Sequence, residues 1–172
     1  MRDKQLYPNS TALIYRYLDT KGDGTGTKNA NGDYSTPDIF YIAPDLKDMV
    51  LHRLIVLIED GANMRAEHYG TLGAALTNGV VVRVSDPSGV LVDLTDESPI
   101  KTNAGWGALC YDVDVKAWGA GNDLLLVRWT FAKAGIPLVL DAKAGHKLEV
   151  VLSDDLQGLV RHYFMVQGWE LP

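Results

Sequence analysis

Apolar and polar residues alternate with a period of two along most of the chain. The clearest stretch, residues 124–131, places Val127 and Trp129 on one face and Arg128 on the other. This period is typical of β-strands, whose successive side chains point to opposite faces. The same signal predicts about ten short strands, over residues 12–18, 38–43, 50–59, 80–85, 90–94, 111–115, 124–131, 137–140, 148–152 and 159–168.

Turn-forming residues separate these strands. The segment Asp86–Gly89 lies between two β-branched runs and predicts a hairpin, because Pro and Gly favour the dihedral angles of such turns. Residues 119–123 and 142–145 are similar breaks. Many short strands with frequent turns indicate an all-β protein, either a β-sandwich or a barrel. Only residues 63–75 could hold a helix, which their glycines would keep short.

The 172 residues fit one domain, with no internal repeat and no linker. Residues 1–36 hold a polar N-terminal arm, the first strand and a Gly- and Asn-rich loop, and residues 37–172 hold the β-sandwich. The loop Asp19–Thr36 is longer than most connections, and such loops are often functional or flexible. We therefore expect a mobile loop or an assembly arm there.

Charge and composition exclude several partners. The net charge is −6 and no basic cluster is present, so we expect no nucleic-acid partner. No apolar run is long enough for a signal peptide or a membrane span, which predicts synthesis in a reducing cytoplasm and no membrane partner. Cys110 is the single cysteine, and its apolar neighbours suggest a buried hydrophobic side chain.

The loop that begins at Asp19 contains two incomplete motifs. An EF-hand would need a ligand where Lys21 stands and a closing carboxylate where Ala30 stands. A phosphate-binding glycine loop would need a following helix, and residues 27–31 show no helical period. Neither a calcium site nor a phosphate site is expected.

Other polar residues also favour a structural interpretation. The four histidines share no metal-ligand spacing, and no nucleophile elbow accompanies them. Asp112 and Asp114 fall on one face of a predicted strand, where a solvated surface is a better interpretation than a glycosidase pair. We predict no catalytic residue, no cofactor and no metal site.

Trp106 and Trp118 are each next to glycine. Exposed aromatic rings can stack on sugars, but tryptophan is also enriched at protein interfaces and closes hydrophobic cores. Core or interface is the favoured interpretation, and sugar binding is the alternative.

Several sequence segments resemble a family of tailed-bacteriophage virion proteins. The similarity extends from about residue 20 to residue 169 and includes residues 24–35, 51–56, 76–79, 99–104, 110–115, 118–122 and 164–168. This resemblance implies a structural protein without a defined activity, and therefore no catalytic residues. Jelly-roll sandwiches recur among capsid decoration proteins and among tail or baseplate parts.

Together these observations predict a jelly-roll-like virion protein, a decoration (cement) protein that binds the major capsid protein and self-associates as a trimer. The residues expected at its interface are Lys28, Asn29, Tyr34, Trp106 and Trp118. Two alternatives stay open: a tail or baseplate component that binds a receptor or carbohydrate, and a carbohydrate hydrolase.

Overall fold

The computed structural model describes residues 13–29, 38–60, 80–95, 112–117, 123–131, 137–154, 156 and 159–172. Ten β-strands account for most of them, which confirms the all-β prediction. The strands are β1 (Leu13–Tyr17), β2 (Asp38–Ile42), β3 (Met49–Asp60), β4 (Val80–Asp86), β5 (Gly89–Asp93), β6 (Asp112–Ala117), β7 (Asp123–Thr130), β8 (Leu138–Leu140), β9 (Lys147–Leu152) and β10 (Leu159–Glu170). The short helix expected within residues 63–75 lies outside the described residues.

The strands form two sheets, and every described pairing is antiparallel. One sheet has six strands in the order β1-β10-β3-β7-β6, with β8 also paired to β3, and the other has the order β2-β9-β4-β5. Early strands pair with late ones: β1 with β10, β2 with β9, β3 with β7 and β4 with β5. Strands β1 to β4 alternate between the two sheets, whereas β6, β7 and β8 all belong to the six-stranded sheet. The nested pairing of early strands with late ones is typical of a jelly-roll-like β-sandwich.

The hydrophobic core lies between the two sheets. Ile14 and Phe164 belong to the six-stranded sheet, Phe40 and Val150 belong to the four-stranded sheet, and all four side chains are buried. The rings of Phe40 and Phe164 meet across the sandwich with centroids 5.8 Å apart. Strand β1 therefore contributes to the core, and the sandwich begins before residue 37.

The Asp86–Gly89 hairpin joins β4 to β5, as the sequence predicted. The Asp86 carboxylate accepts hydrogen bonds from the backbone N–H groups of Ser88 at 2.7 Å and Gly89 at 3.1 Å. Gly89 has a φ of 140°, which a residue with a side chain rarely adopts. The hydrogen bond from Ser88 is the main reason that the pKa of Asp86 is lowered.

Strands β10 and β3 approach closely at Gly168. Their register shifts between Gln167 and Gly168, which leaves His52 as an extra residue on β3. A Cβ atom at Gly168 would collide with the backbone of Val50 and Leu51 on β3. Only glycine fits this position without moving the two strands apart.

We expect Gly168→Ala to destabilise the protein by roughly 1–3 kcal/mol, because the added methyl group meets backbone atoms that cannot rotate away. Urea unfolding followed by circular dichroism measures the change. Gln167→Ala, at the neighbouring and partly exposed position, is the control and should change stability little. Equal stability of the Gly168→Ala variant and the wild-type protein would contradict this close packing.

Candidate functional site

The outer surface of the six-stranded sheet carries a group of aromatic side chains. On β1, Tyr15 and Tyr17 are exposed while the intervening positions are more buried, so the tyrosines point away from the core. On β10, residues 163, 165 and 169 lie on this same outer side, because residues 164, 166 and 168 are buried against the core. We call Tyr15, Tyr17, Tyr163 and Trp169 the aromatic face; Met165 lies between them but is only 3% exposed.

Register and ring contacts join these residues into one surface. Tyr17 pairs with Met165 across β1 and β10. The rings of Tyr17 and Tyr163 meet edge to face with centroids 5.5 Å apart, a favourable arrangement for two aromatic side chains. The aromatic face is therefore built on two paired strands, with Tyr15 and Tyr17 as its exposed part and Tyr163 partly buried beside them.

His52 extends the aromatic face onto β3. It is the extra residue at the irregular register, and its ring lies 4.1 Å from the ring of Trp169, centroid to centroid. Burial, and then the charge of Arg53, lower the pKa of His52. The neutral imidazole is therefore the favoured form against the indole ring.

The outer surface of the four-stranded sheet has a different character. Glu149 of β9 lies opposite both Tyr41 of β2 and Arg83 of β4. The Arg83 Nε donates to the Glu149 Oε2 at 2.7 Å, so these two charges satisfy each other within the chain. This polar row is less suited to an apolar partner than the aromatic face.

An open cleft of about 430 Å³ lies where the loop after β1 approaches the beginning of β9 and the end of β10. Its charged lining consists of Arg16, Lys21, Lys147, Asp23, Asp45 and Glu170. Arg16 already donates through Nη2 to the carbonyl oxygens of Gly22 at 2.9 Å and Ala43 at 3.4 Å. Because both signs of charge surround the cleft, its chemistry favours neither an anionic nor a cationic ligand.

The first part of the long loop folds back on the sandwich. Asp19 is fully buried, and its Oδ1 accepts hydrogen bonds from the N–H groups of Lys21 at 2.7 Å and Gly22 at 2.6 Å. Asp19 also exchanges backbone hydrogen bonds with Tyr41, and Gly22 packs directly under the Tyr41 ring. The described part of this loop is thus a turn packed on β2 and not an extended arm.

Asn29, expected at an interface, makes a contact inside the chain. Its Oδ1 accepts a hydrogen bond of 3.2 Å from the backbone N–H of His162. The His162 side chain is fully buried, and its ring lies 4.4 Å from the ring of Phe164. Burial lowers the pKa of His162 to about 3, so this histidine is neutral in the folded protein.

The other predicted site residues are only partly described. Lys28 is half-buried, whereas Tyr34, Trp106 and Trp118 lie outside the described residues. Asp112 and Asp114 occupy register positions opposite Arg128 and Leu126 in the strand pair β6–β7.

Within the described segments, no group of three or more His, Cys, Asp or Glu residues is placed to hold a metal ion. The described part of the chain also holds no helix of the length and apolarity needed to cross a membrane.

The sequence interpretation above does not include the aromatic face, although the chain carries one signal for it. Tyr15 and Tyr17 are two residues apart in a predicted strand and therefore share a side.

Comparison of the chain with protein-family models gives no match, and comparison with curated proteins gives no match either.

The buried neutral His162 should make folding stability depend on pH. Its pKa in the unfolded chain is about 6.5 and its folded value is lower. The contribution of His162 to the free energy of unfolding is therefore fully present above pH 6.5. It is lost as pH falls toward 3, because the unfolded chain binds a proton that the folded chain does not. Between pH 6.5 and about 4.5 the loss is roughly 2 kcal/mol, since one pKa unit corresponds to about 1.4 kcal/mol.

Urea unfolding across this pH range tests the effect. The His162→Leu variant should lose most of the pH dependence, while Phe164→Leu disturbs the same part of the core and should retain it. Parallel pH profiles for wild type and His162→Leu would show that His162 is not the group responsible.

Proposed function

We propose that this chain is a non-enzymatic structural protein of a bacteriophage particle. In this proposal it is a decoration (cement) protein that binds the major capsid protein. The resemblance of the segments within residues 20–169 to virion proteins supports the particle as its location. The jelly-roll-like sandwich supports a rigid binding module, because its core fixes the positions of the residues on its outer surfaces.

The aromatic face is the observation that carries the proposal. Tyr15 is 59% exposed, and the neighbouring Leu13 at the start of β1 is 82% exposed. Burial of apolar surface is favourable by roughly 25 cal/mol per Å². Tyrosine and tryptophan are enriched at the centres of protein interfaces, where a few such side chains supply most of the binding energy. The aromatic face therefore suits attachment to another subunit.

The capsid proposal predicts that charge on the aromatic face prevents attachment. We expect Tyr163→Lys and Trp169→Lys each to weaken binding to capsids at least tenfold, because a buried lysine would have to lose its hydration. Cosedimentation of the purified chain with particles that lack it measures the affinity. Leu91→Lys, on the exposed edge of the four-stranded sheet, is the matched control and should bind normally.

Electron microscopy of the same particles locates the added protein on the capsid lattice or along the tail. Density on the tail alone would replace the capsid assignment with a tail or baseplate assignment. Normal capsid binding by both β10 variants would refute the role of the aromatic face.

The second candidate function is a receptor- or carbohydrate-binding module of the tail. The same face carries polar groups beside its rings, namely Gln167 and the ion pair between Arg161 Nε and Glu59 Oε2 at 2.6 Å. Rings that stack on a sugar and polar groups that bond its hydroxyls are the usual elements of such sites.

A glycan array probed with the labelled chain distinguishes this candidate. A carbohydrate-binding module should bind a defined set of glycans and lose the signal in Tyr163→Ala, with Leu91→Ala as the control. An array without signal, together with tight capsid binding, would exclude it.

A further inference from the structure

The described strand edges differ in how open they are to another strand. The edge of β2 is occupied at Tyr41, which exchanges backbone hydrogen bonds with Asp19. The edge strand β5 is irregular, because its register with β4 shifts at the position of Leu91. By contrast, β1 keeps an unbroken register with β10 from Leu13 to Tyr17 and contains no proline. The opposite edge strand, β6, also keeps an unbroken register, with β7, and contains no proline. Its sequence carries three charged residues, Asp112, Asp114 and Lys116, whereas β1 carries only Arg16. Charged residues protect an edge from pairing, so β1 is the less protected of these two edges.

No described strand pairs with β1 on the side away from β10, and the backbone groups on that side belong to the exposed residues. The N–H of Leu18 donates to the Phe164 carbonyl at 2.9 Å, which makes this a hydrogen-bonded pair of the antiparallel ladder. Such pairs alternate, so Ile14 and Arg16 direct their backbone groups toward β10. Leu13, Tyr15 and Tyr17 consequently direct their N–H and C=O groups away from β10.

We propose that β1 pairs with β1 of a second copy of this chain, antiparallel and about a two-fold axis at Tyr15. In this register Tyr15 faces the second copy's Tyr15, and Leu13 faces the second copy's Tyr17. All the outward backbone groups of β1 are then hydrogen-bonded. The cross-strand pairs are aromatic–aromatic and aromatic–aliphatic, which stabilise antiparallel sheets.

Alternative registers are less favourable. A shift by two residues in either direction leaves one of the outward residues of β1 without a partner within the second copy's β1. One of these shifts also places Arg16 opposite the second copy's Arg16, and like charges directly opposite are destabilising. The self-complementarity of β1 in the Tyr15-centred register is the reason to choose a second copy over an unrelated strand.

The pairing would join two six-stranded sheets into one. Residues directly opposite in a sheet point to the same side, so the aromatic faces of the two copies would merge into one surface. Two linked binding surfaces hold a repetitive lattice more tightly than one. The inference goes beyond the proposed function, because the pair forms in solution whether or not a capsid is its target.

A disulfide across the two-fold axis tests the register. The Cα atoms of a hydrogen-bonded antiparallel pair lie about 5.5 Å apart, which suits a disulfide. In a Cys110→Ser background, Tyr15→Cys should give mostly covalent dimer on a non-reducing gel after mild oxidation. Leu46→Cys, which is 86% exposed, should stay monomeric. Equal cross-linking at both positions, or none at Tyr15→Cys, would overturn the proposal.

Sedimentation equilibrium of the full chain tests the association itself. The wild type should weigh as a dimer and Tyr15→Pro as a monomer, since proline removes an outward N–H without removing a hydrogen bond to β10. Leu46→Lys should remain a dimer, and circular dichroism shows whether each variant is folded. A wild-type monomer, or a trimer insensitive to Tyr15→Pro, would refute the β1 pairing and leave the capsid test unaffected.

Discussion

The pairing of the beginning of the chain with its end is the constraint on which the rest of the structure depends. Strands β1 and β2 have no sheet until β10 and β9 are in place. The ring of Phe40 can pack on the ring of Phe164 only after both sheets have formed. Such contacts between distant residues carry a large loop-closure cost, so folding is expected to be slow and cooperative. In return, one closed core holds both outer surfaces in fixed positions.

The two outer surfaces use this rigidity differently. On the four-stranded sheet, Arg83 and Glu149 satisfy each other within the chain. On the six-stranded sheet, Tyr15 leaves much of its ring in water. The six-stranded sheet also pairs charges, Arg161 with Glu59, and the four-stranded sheet exposes an apolar side chain, Leu91, on β5. The two surfaces therefore differ mainly in their exposed aromatic rings, which are the side chains best suited to attachment.

The sequence predicted the strands well because side-chain alternation reports local burial. It also predicted the Asp86–Gly89 hairpin, whose turn chemistry is local. The sequence pattern did not predict which strands pair with each other, since an alternation with a period of two is the same whichever strand lies alongside. Loop composition suggested mobility after β1, yet Asp19 is buried and holds that turn in place. Likewise, Asn29 is an interface candidate from the sequence, and its hydrogen bond from a backbone N–H of the same chain was not predictable from loop composition. Long-range contacts of this kind produce no periodic pattern in the amino-acid sequence.

The turn after β1 has a practical consequence for engineering. Thr20 and Thr27 are held together by a backbone hydrogen bond of 3.0 Å and by a second bond to the Thr20 hydroxyl. Gly24 lies between them, and no heavy atom is near the place where its side chain would be. A peptide spliced in at Gly24 would thus leave the base of the turn closed and project into solvent. Gly24 is therefore a natural choice for inserting a foreign epitope into this sandwich.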